Sequence, residues 1–180
     1  MGPRFSRFLL LALAFACLPL LAAGCGAEEH ESEVPEGEPL ELGEVEYDVQ
    51  ITRFLNASSA EDATYLEGAE PLLDGQQYLG VFMEIKNEGD EETVVPYPLK
   101  IVDTRGETFI QEDIDNPFTL EPGALVPPDG QIPEVQSAAA NGPIEGSLVL
   151  FRIEETATED RPLQLEVPGP EGVGTIELDI

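Results

Sequence analysis

The chain has 180 residues, with 37 acidic side chains against eight basic ones, a formal charge of −29 and no tryptophan. Such acidity argues against a nucleic-acid binder, which needs clustered Lys and Arg, and against a domain lying flat on an anionic membrane. The length suits one domain, able to bury roughly two thirds of its unfolded surface.

The N-terminus carries an address. Arg4 and Arg7 are the only basic residues before position 53, and Phe8 to Ala23 is apolar apart from a break at Cys17-Leu18-Pro19. That is a positive n-region and an h-region, the latter about 16 residues long and short of the ~20 a spanning helix needs. Leu21-Ala22-Ala23-Gly24-Cys25 follows and resembles the bacterial lipobox, with Ala22 where Leu is preferred. The resemblance implies cleavage between Gly24 and Cys25. It also implies lipidation of the Cys25 thiol and its new amino group, which would anchor the exported chain on the outer face of the bacterial cell membrane. Ordinary cleavage after Gly24, leaving an unanchored protein, and a retained membrane anchor are the alternatives.

Processing would remove Arg4 and Arg7, leaving six basic residues against 37 acidic ones, a formal charge of −31. Cys17 leaves with the signal and Cys25 is the expected lipid site, so the domain has no disulfide and relies on packing. Gly26 to Gly43 holds seven Glu, Pro35 and Pro39, and no Lys or Arg. Such a segment reads as a disordered, solvated tether. As a flexible coil it would span ~25 Å. Leu40-Glu41-Leu42 is the one competing signal, a short strand-like alternation. The division is therefore 1–24 signal peptide, 25–43 lipidated cysteine and acidic tether, and 44–180 folded domain. That domain is expected to fold without the tether.

Glu44 to Phe54 alternates as a half-buried strand, with Val45, Tyr47, Val49 and Ile51 inward. Asn56 to Gly75 is a long connection, with one helical turn possible near Ala57–Asp62, capped by Ser58 or Ser59. Tyr78 to Ile85 is the most apolar run after the N-terminus and is bounded by Asp74-Gly75 and Asn87-Glu88-Gly89-Asp90. It predicts a central strand buried on both faces, Leu79, Val81, Met83 and Ile85 on one and Tyr78 and Phe82 on the other. Thr93–Val95, Leu99–Asp103 and Thr108–Gln111 read as strands, the last two joined by a hairpin turn at Thr104–Glu107. Leu120–Gly123 is a turn into Ala124–Val126. Pro127 to Pro143 is turn-rich, with Ala138–Ala140 too short for a helix. Glu145–Ile153, Leu163–Val167 and Thr175–Ile180 complete the strands.

About eight short strands with Gly/Pro punctuation and no convincing helix indicate an all-β sandwich, with a small barrel as the alternative. The succession is familiar: Tyr47 and Val49; Gly75 with Tyr78-Leu79; Lys86-Asn87-Glu88-Gly89-Asp90-Glu91; Leu99, Asp103, Gly106 and Phe109; Leu120-Glu121-Pro122-Gly123; Gly146 to Phe151. It resembles the immunoglobulin-like domains of unknown function found in lipidated bacterial surface proteins. These are similar in fold to a secreted mycobacterial immunoprotective antigen. The resemblance covers roughly residues 44–167 and departs from the pattern at Gly80, Phe82 and after Gly123. It implies an immunoglobulin-like antiparallel β-sandwich on the cell surface and brings no catalytic residues.

His30 is the only histidine and precedes the domain. A Ser-His-Asp triad, a histidine-ligated zinc and a Cys-His nucleophile are therefore unavailable within it. No phosphate-cradling glycine loop is present. Lys86 and Lys100 lie on strands, where structural ion pairs are the plainer reading, and Ser147 starts a strand. The chain is thus read as no enzyme and as needing no cofactor. Asn87–Glu92 and Glu112–Asn116 place oxygens in turns, making Asp90, Asp113 and Asp115 the weak candidates for calcium. Neither loop has the regular spacing of a dedicated site. Two roles remain: a tethered binding or adhesion module for a protein or envelope polymer, or a structural or accessory envelope protein without a ligand. An exposed apolar patch on a sheet face or along Pro127–Pro143 favours the first.

Overall fold

The computed structural model describes residues 32–180. Cleavage at Gly24, lipidation of Cys25 and the start of the tether lie outside the described residues. In chain order the strands are β1 (Glu33–Pro35), β2 (Leu40–Leu42), β3 (Val45–Leu55), β4 (Gln76–Asn87), β5 (Thr93–Val94) and β6 (Lys100–Val102). They continue with β7 (Thr108–Ile110), β8 (Leu125–Val126), β9 (Gln131–Ile132), β10 (Ser147–Glu154), β11 (Leu163–Gly169) and β12 (Gly172–Leu178). A four-residue helix α1 (Ala138–Asn141) and a 3₁₀ helix over Glu155–Glu159 are the helical pieces among the described residues.

One sheet runs β1-β12-β11-β6-β7 and the other β10-β4-β3-β2, with β9 also paired to β4 and a separate β5-β8 ribbon. The sandwich expected from the punctuation is thus present. On one side the sheets meet: after β7 the chain crosses over, Gln111 bridges Phe151, and the Glu112 N–H donates to the Leu150 carbonyl at 2.8 Å.

The central strand is β4, flanked by β3 and β10 in antiparallel register. Its two faces divide as its alternation predicts. Leu79, Val81, Met83 and Ile85 join the inter-sheet core with Val149, Phe151, Leu163, Leu165 and Ile176. Tyr78 and Phe82 face a second core behind the sheet, made with Leu55, Tyr65, Ile114, Leu148 and Leu150. Tyr65 sits edge-on to both Phe82 and Phe118, at centroid distances of 5.1 and 4.9 Å. Gly80 makes room here: a Cβ on it would lie 2.9 Å from Leu55 Cδ1 and 3.0 Å from Leu148 Cδ1.

The structure corrects several expectations. Residues 32–43 are not a free tether. β1 pairs in parallel with β12, so this sheet is not purely antiparallel, and β2 pairs with β3. Leu40 is fully buried. Glu36, expected in solvent, joins the two sheets: its Oε1 accepts from Thr52 N–H at 2.9 Å and its Oε2 from Asp179 N–H at 3.0 Å. Ile51 does not point inward. A bulge between Val49 and Ile51 shifts the register against β4, so Ile51 is 40% exposed and Thr52 is buried instead. An extra residue reverses the alternation beyond it. Residues 56–75 form successive turns and no regular helix: the one α-helical-type bond runs from Ala63 N–H to the Ser59 carbonyl at 2.9 Å, and Asn56 Oδ1, rather than a serine hydroxyl, accepts from Ser58 N–H. Ala138–Asn141 does make one helical turn, because the Ser137 hydroxyl caps Ala140 N–H at 3.1 Å.

Tyr47 and Tyr78 supply a pH test. Burial raises the Tyr47 pKa to about 12, and burial is also the main cause of a rise at Tyr78. In the unfolded chain a tyrosine ionises near 10, so above that pH the unfolded state has lost protons the native state keeps. Stability should be flat below about pH 10 and fall from there to about 12 on Tyr47's account. Tyr47→Phe should make the fall shallower in denaturant titrations at stepped pH; an unchanged slope would rule out this cause.

Candidate functional site

A groove of about 300 Å³ is lined by residues from 117–121, 124–139 and Ser147. Its apolar lining includes Leu125, Pro127, Ile132 and Pro133, with Glu121 and Glu134 as acidic members. It lies along the Pro127–Pro143 segment, where an apolar patch would favour a binding role. Leu125 is 53% exposed and Val135 69% exposed, and Val94, paired with Leu125 across the ribbon, is exposed as well.

Each wall is fixed by backbone hydrogen bonds. Thr119 bridges Leu148 in parallel, with Leu148 N–H donating to the Phe118 carbonyl and Leu120 N–H to that of Leu148. β9 pairs Ile132 with Ile85 of β4, continuing the sheet beyond the start of β10 at Ser147. α1 is held by Gly146 N–H to the Ala139 carbonyl and by Asn141, whose amide donates to Val135 and Ser137 carbonyls. Gly146 is needed at the start of β10: its φ is +106°, and a Cβ there would lie 2.9 Å from the Met83 nitrogen. The groove is therefore built before any partner arrives, which lowers the ordering cost of binding.

Asn87 locks the neighbouring turn. It is buried, its Nδ2 donates to the carbonyls of Glu91, Val126 and Pro127, and its Oδ1 accepts from Gly89 N–H. Asn116 has the same design: its Nδ2 donates to the Thr64 and Glu67 carbonyls and its Oδ1 accepts from Phe118 N–H. Both acidic turns thus use their asparagine oxygen on backbone. Asp90, Asp113 and Asp115 are exposed, while Ile114 between the latter two is buried in the second core. No group of three carboxylate, cysteine or histidine side chains converges among the described residues. At matched ionic strength millimolar calcium is expected to move the thermal midpoint no more than NaCl does, while salt itself raises it by screening the net charge. A further, saturating rise with calcium that disappears in Asp113→Asn/Asp115→Asn would overturn this.

Of the other singled-out residues, Lys86 has the ion pair expected of it, and Lys100 makes none within 4 Å among the described residues. Lys86 donates to Glu46 Oε1 at 3.1 Å, and that hydrogen bond is the main reason its pKa is raised. Lys100 is exposed on β6 of the opposite sheet. Ser147 is buried and lines the groove. Sequence reasoning missed the roles of Asn87, Asn116 and Glu36. The first two stand at positions i of Asn-x-Gly and Asn-x-Phe turns, a local signal for the Oδ1 bond, but apart from Asn87 to the Glu91 carbonyl their donor contacts are distant in the chain.

No family model and no curated protein matches the chain. Solved structures share its fold. An uncharacterized β-sandwich protein from Clostridium difficile 630 superposes at TM-score 0.50, with 15% identity, over 84% of this chain and 97% of its own. The yjhA protein from Bacillus subtilis superposes at 0.54, with 10% identity, over 81% and 99%. These likenesses establish a shared β-sandwich. A third, the candidate lipoprotein ycdA of Bacillus subtilis, reaches 0.49, with 14% identity, over 80% of this chain and 38% of its own.

Proposed function

We propose that the chain is an exported, lipid-anchored binding module, not an enzyme, whose β-sandwich presents the Leu125–Ile132–Pro133 groove to a protein or envelope polymer. The observation that carries this reading is the preformed groove with exposed Leu125 and Val135 beside it. Exposed apolar side chains around a groove on an otherwise acidic domain are a mark of an interaction site. The anchor is Cys25, supported by the n-region, the h-region and Ala22-Ala23-Gly24 before it.

The strand β1 shortens the leash. From Cys25 to Ser32 there are seven peptide steps, about 25 Å at full extension. Ser32 arrives at the end of the sandwich that also carries Gly43 and the Pro170-Glu171 turn. That end is held near the bilayer, and its carboxylates, Glu44 and Glu171 among them, keep it from settling on anionic headgroups.

Two measurements test the reading. Cys25→Ser should move the chain from the membrane to the soluble fraction; unchanged processing and membrane association would remove the anchor. The full chain should capture an envelope component that Leu125→Lys does not. Equal capture by the variant would separate the partner from the groove.

A further inference from the structure

We infer that the groove takes a cationic, apolar peptide segment, a refinement that rests on the groove being the binding surface. The apolar half of the match comes from Leu125, Pro127, Ile132 and Pro133. Prolines have a fixed φ and little side-chain freedom to lose, so they give a rigid contact surface at low ordering cost. At about 300 Å³ the groove is at the small end of ligand pockets and has room for a few side chains.

The cationic half comes from charge. Glu121 and Glu134 line the groove and are exposed. From residue 111 to residue 151 the chain has seven acidic residues and no Lys, Arg or His. A second hollow, sharing Gln131, extends the groove past Glu88 and Asp129. Its cation, Lys86, is already engaged by Glu46 at 3.1 Å and lies 3.8 Å from Glu84. The groove therefore presents carboxylates with no cation of its own free to answer them. An acidic partner would meet like charge along its whole length, which costs affinity and slows encounter. A Lys- or Arg-bearing segment with apolar residues between its charges satisfies both halves.

The test uses the full chain purified in detergent and fluorescence anisotropy with three labelled ten-residue peptides. One is built of Lys, Leu and Pro; the others have Ser or Glu in place of Lys. The Lys peptide should bind at least about tenfold tighter than the Ser peptide at low salt, the gap narrowing as salt rises. Glu121→Gln/Glu134→Gln should weaken the Lys peptide about fivefold, as expected for two exposed charge pairs, and leave the Ser peptide unchanged. Leu125→Thr should weaken both. The remote pair Glu155→Gln/Glu159→Gln, exposed on the 3₁₀ helix, should change nothing. All substituted side chains are exposed, so the fold should survive, and thermal midpoints check this. If the Ser peptide binds as tightly as the Lys peptide, the charge inference is wrong and the groove is merely apolar. If the remote pair weakens binding as much as the groove pair, the attraction is diffuse and the inference is again wrong. If no peptide binds, yet Leu125→Lys still abolishes capture of an envelope component, the occupant has other chemistry while the groove keeps its role.

Discussion

Phe82→Ala should destabilise the protein by about 3–5 kcal/mol, the usual cost of removing a buried aromatic ring. Phe82 is fully buried on the face of β4 turned away from the inter-sheet core. Its ring packs edge-on against Tyr65, which in turn meets Phe118. Few side chains can move into the space, because Gly80, Leu55 and Leu148 already crowd it. Tyr65 also accepts a hydrogen bond from Ile144 N–H at 3.1 Å, so a ring left loose would release the loop before β10 as well. Ile85→Ala, on the opposite face, should cost about 2–5 kcal/mol. Denaturant unfolding of both variants checks the pair. A loss at Ile85 with none at Phe82 would mean that the second core is a loose covering rather than part of the cooperative fold.

Deleting residues 1–43 should lower stability by more than about 3 kcal/mol, whereas deleting residues 1–31 should leave it nearly unchanged. The first cut removes fully buried Leu40, and a Leu→Ala loss alone is about 2–5 kcal/mol. It also removes Val34 and Leu42, which pack against the core, and the Glu36 carboxylate that accepts from both sheets. Hydrogen bonds to a charged group each contribute about 1.5–3 kcal/mol when well formed. For a domain of this size a loss of that order lowers the thermal midpoint by roughly 6–12 °C or more. The composition of residues 26–43 predicts the reverse, a midpoint within a few degrees. Equal midpoints for the two truncations would restore the free tether and show that β1 and β2 only decorate the sheets.

The contrast between these two experiments follows from what a local pattern can encode. The two-faced character of β4 is written in consecutive residues, because strand side chains alternate with period two and both sets here are apolar. The hairpin at Thr104–Glu107 is similarly local: Asp103 Oδ1 accepts from Arg105 and Glu107 N–H groups within four residues. The positive n-region, the h-region and the residues before Cys25 also form a contiguous signal, as does the excess of carboxylates over cations. The two faces of β4, the Thr104–Glu107 hairpin, the net charge and the export reading therefore come from the sequence by itself.

The tertiary structure decided the rest, because the deciding contacts are remote. Residues 33–42 have too few apolar side chains to order themselves; they fold because β12, some 140 positions later in the chain, offers an edge, and because Glu36 finds N–H groups on both sheets. The bulge after Val49 has no residue that announces it, so Ile51 reads inward by alternation and turns outward only against β4's register. Asn87 and Asn116 look like oxygen ligands in acidic turns until their amides are seen clamping carbonyls elsewhere in the chain. The groove is remote in the same sense. Leu125, Ile132 and Ser147 share no periodicity, and they line one surface because β9 and β10 meet the same strand, β4, one after the other.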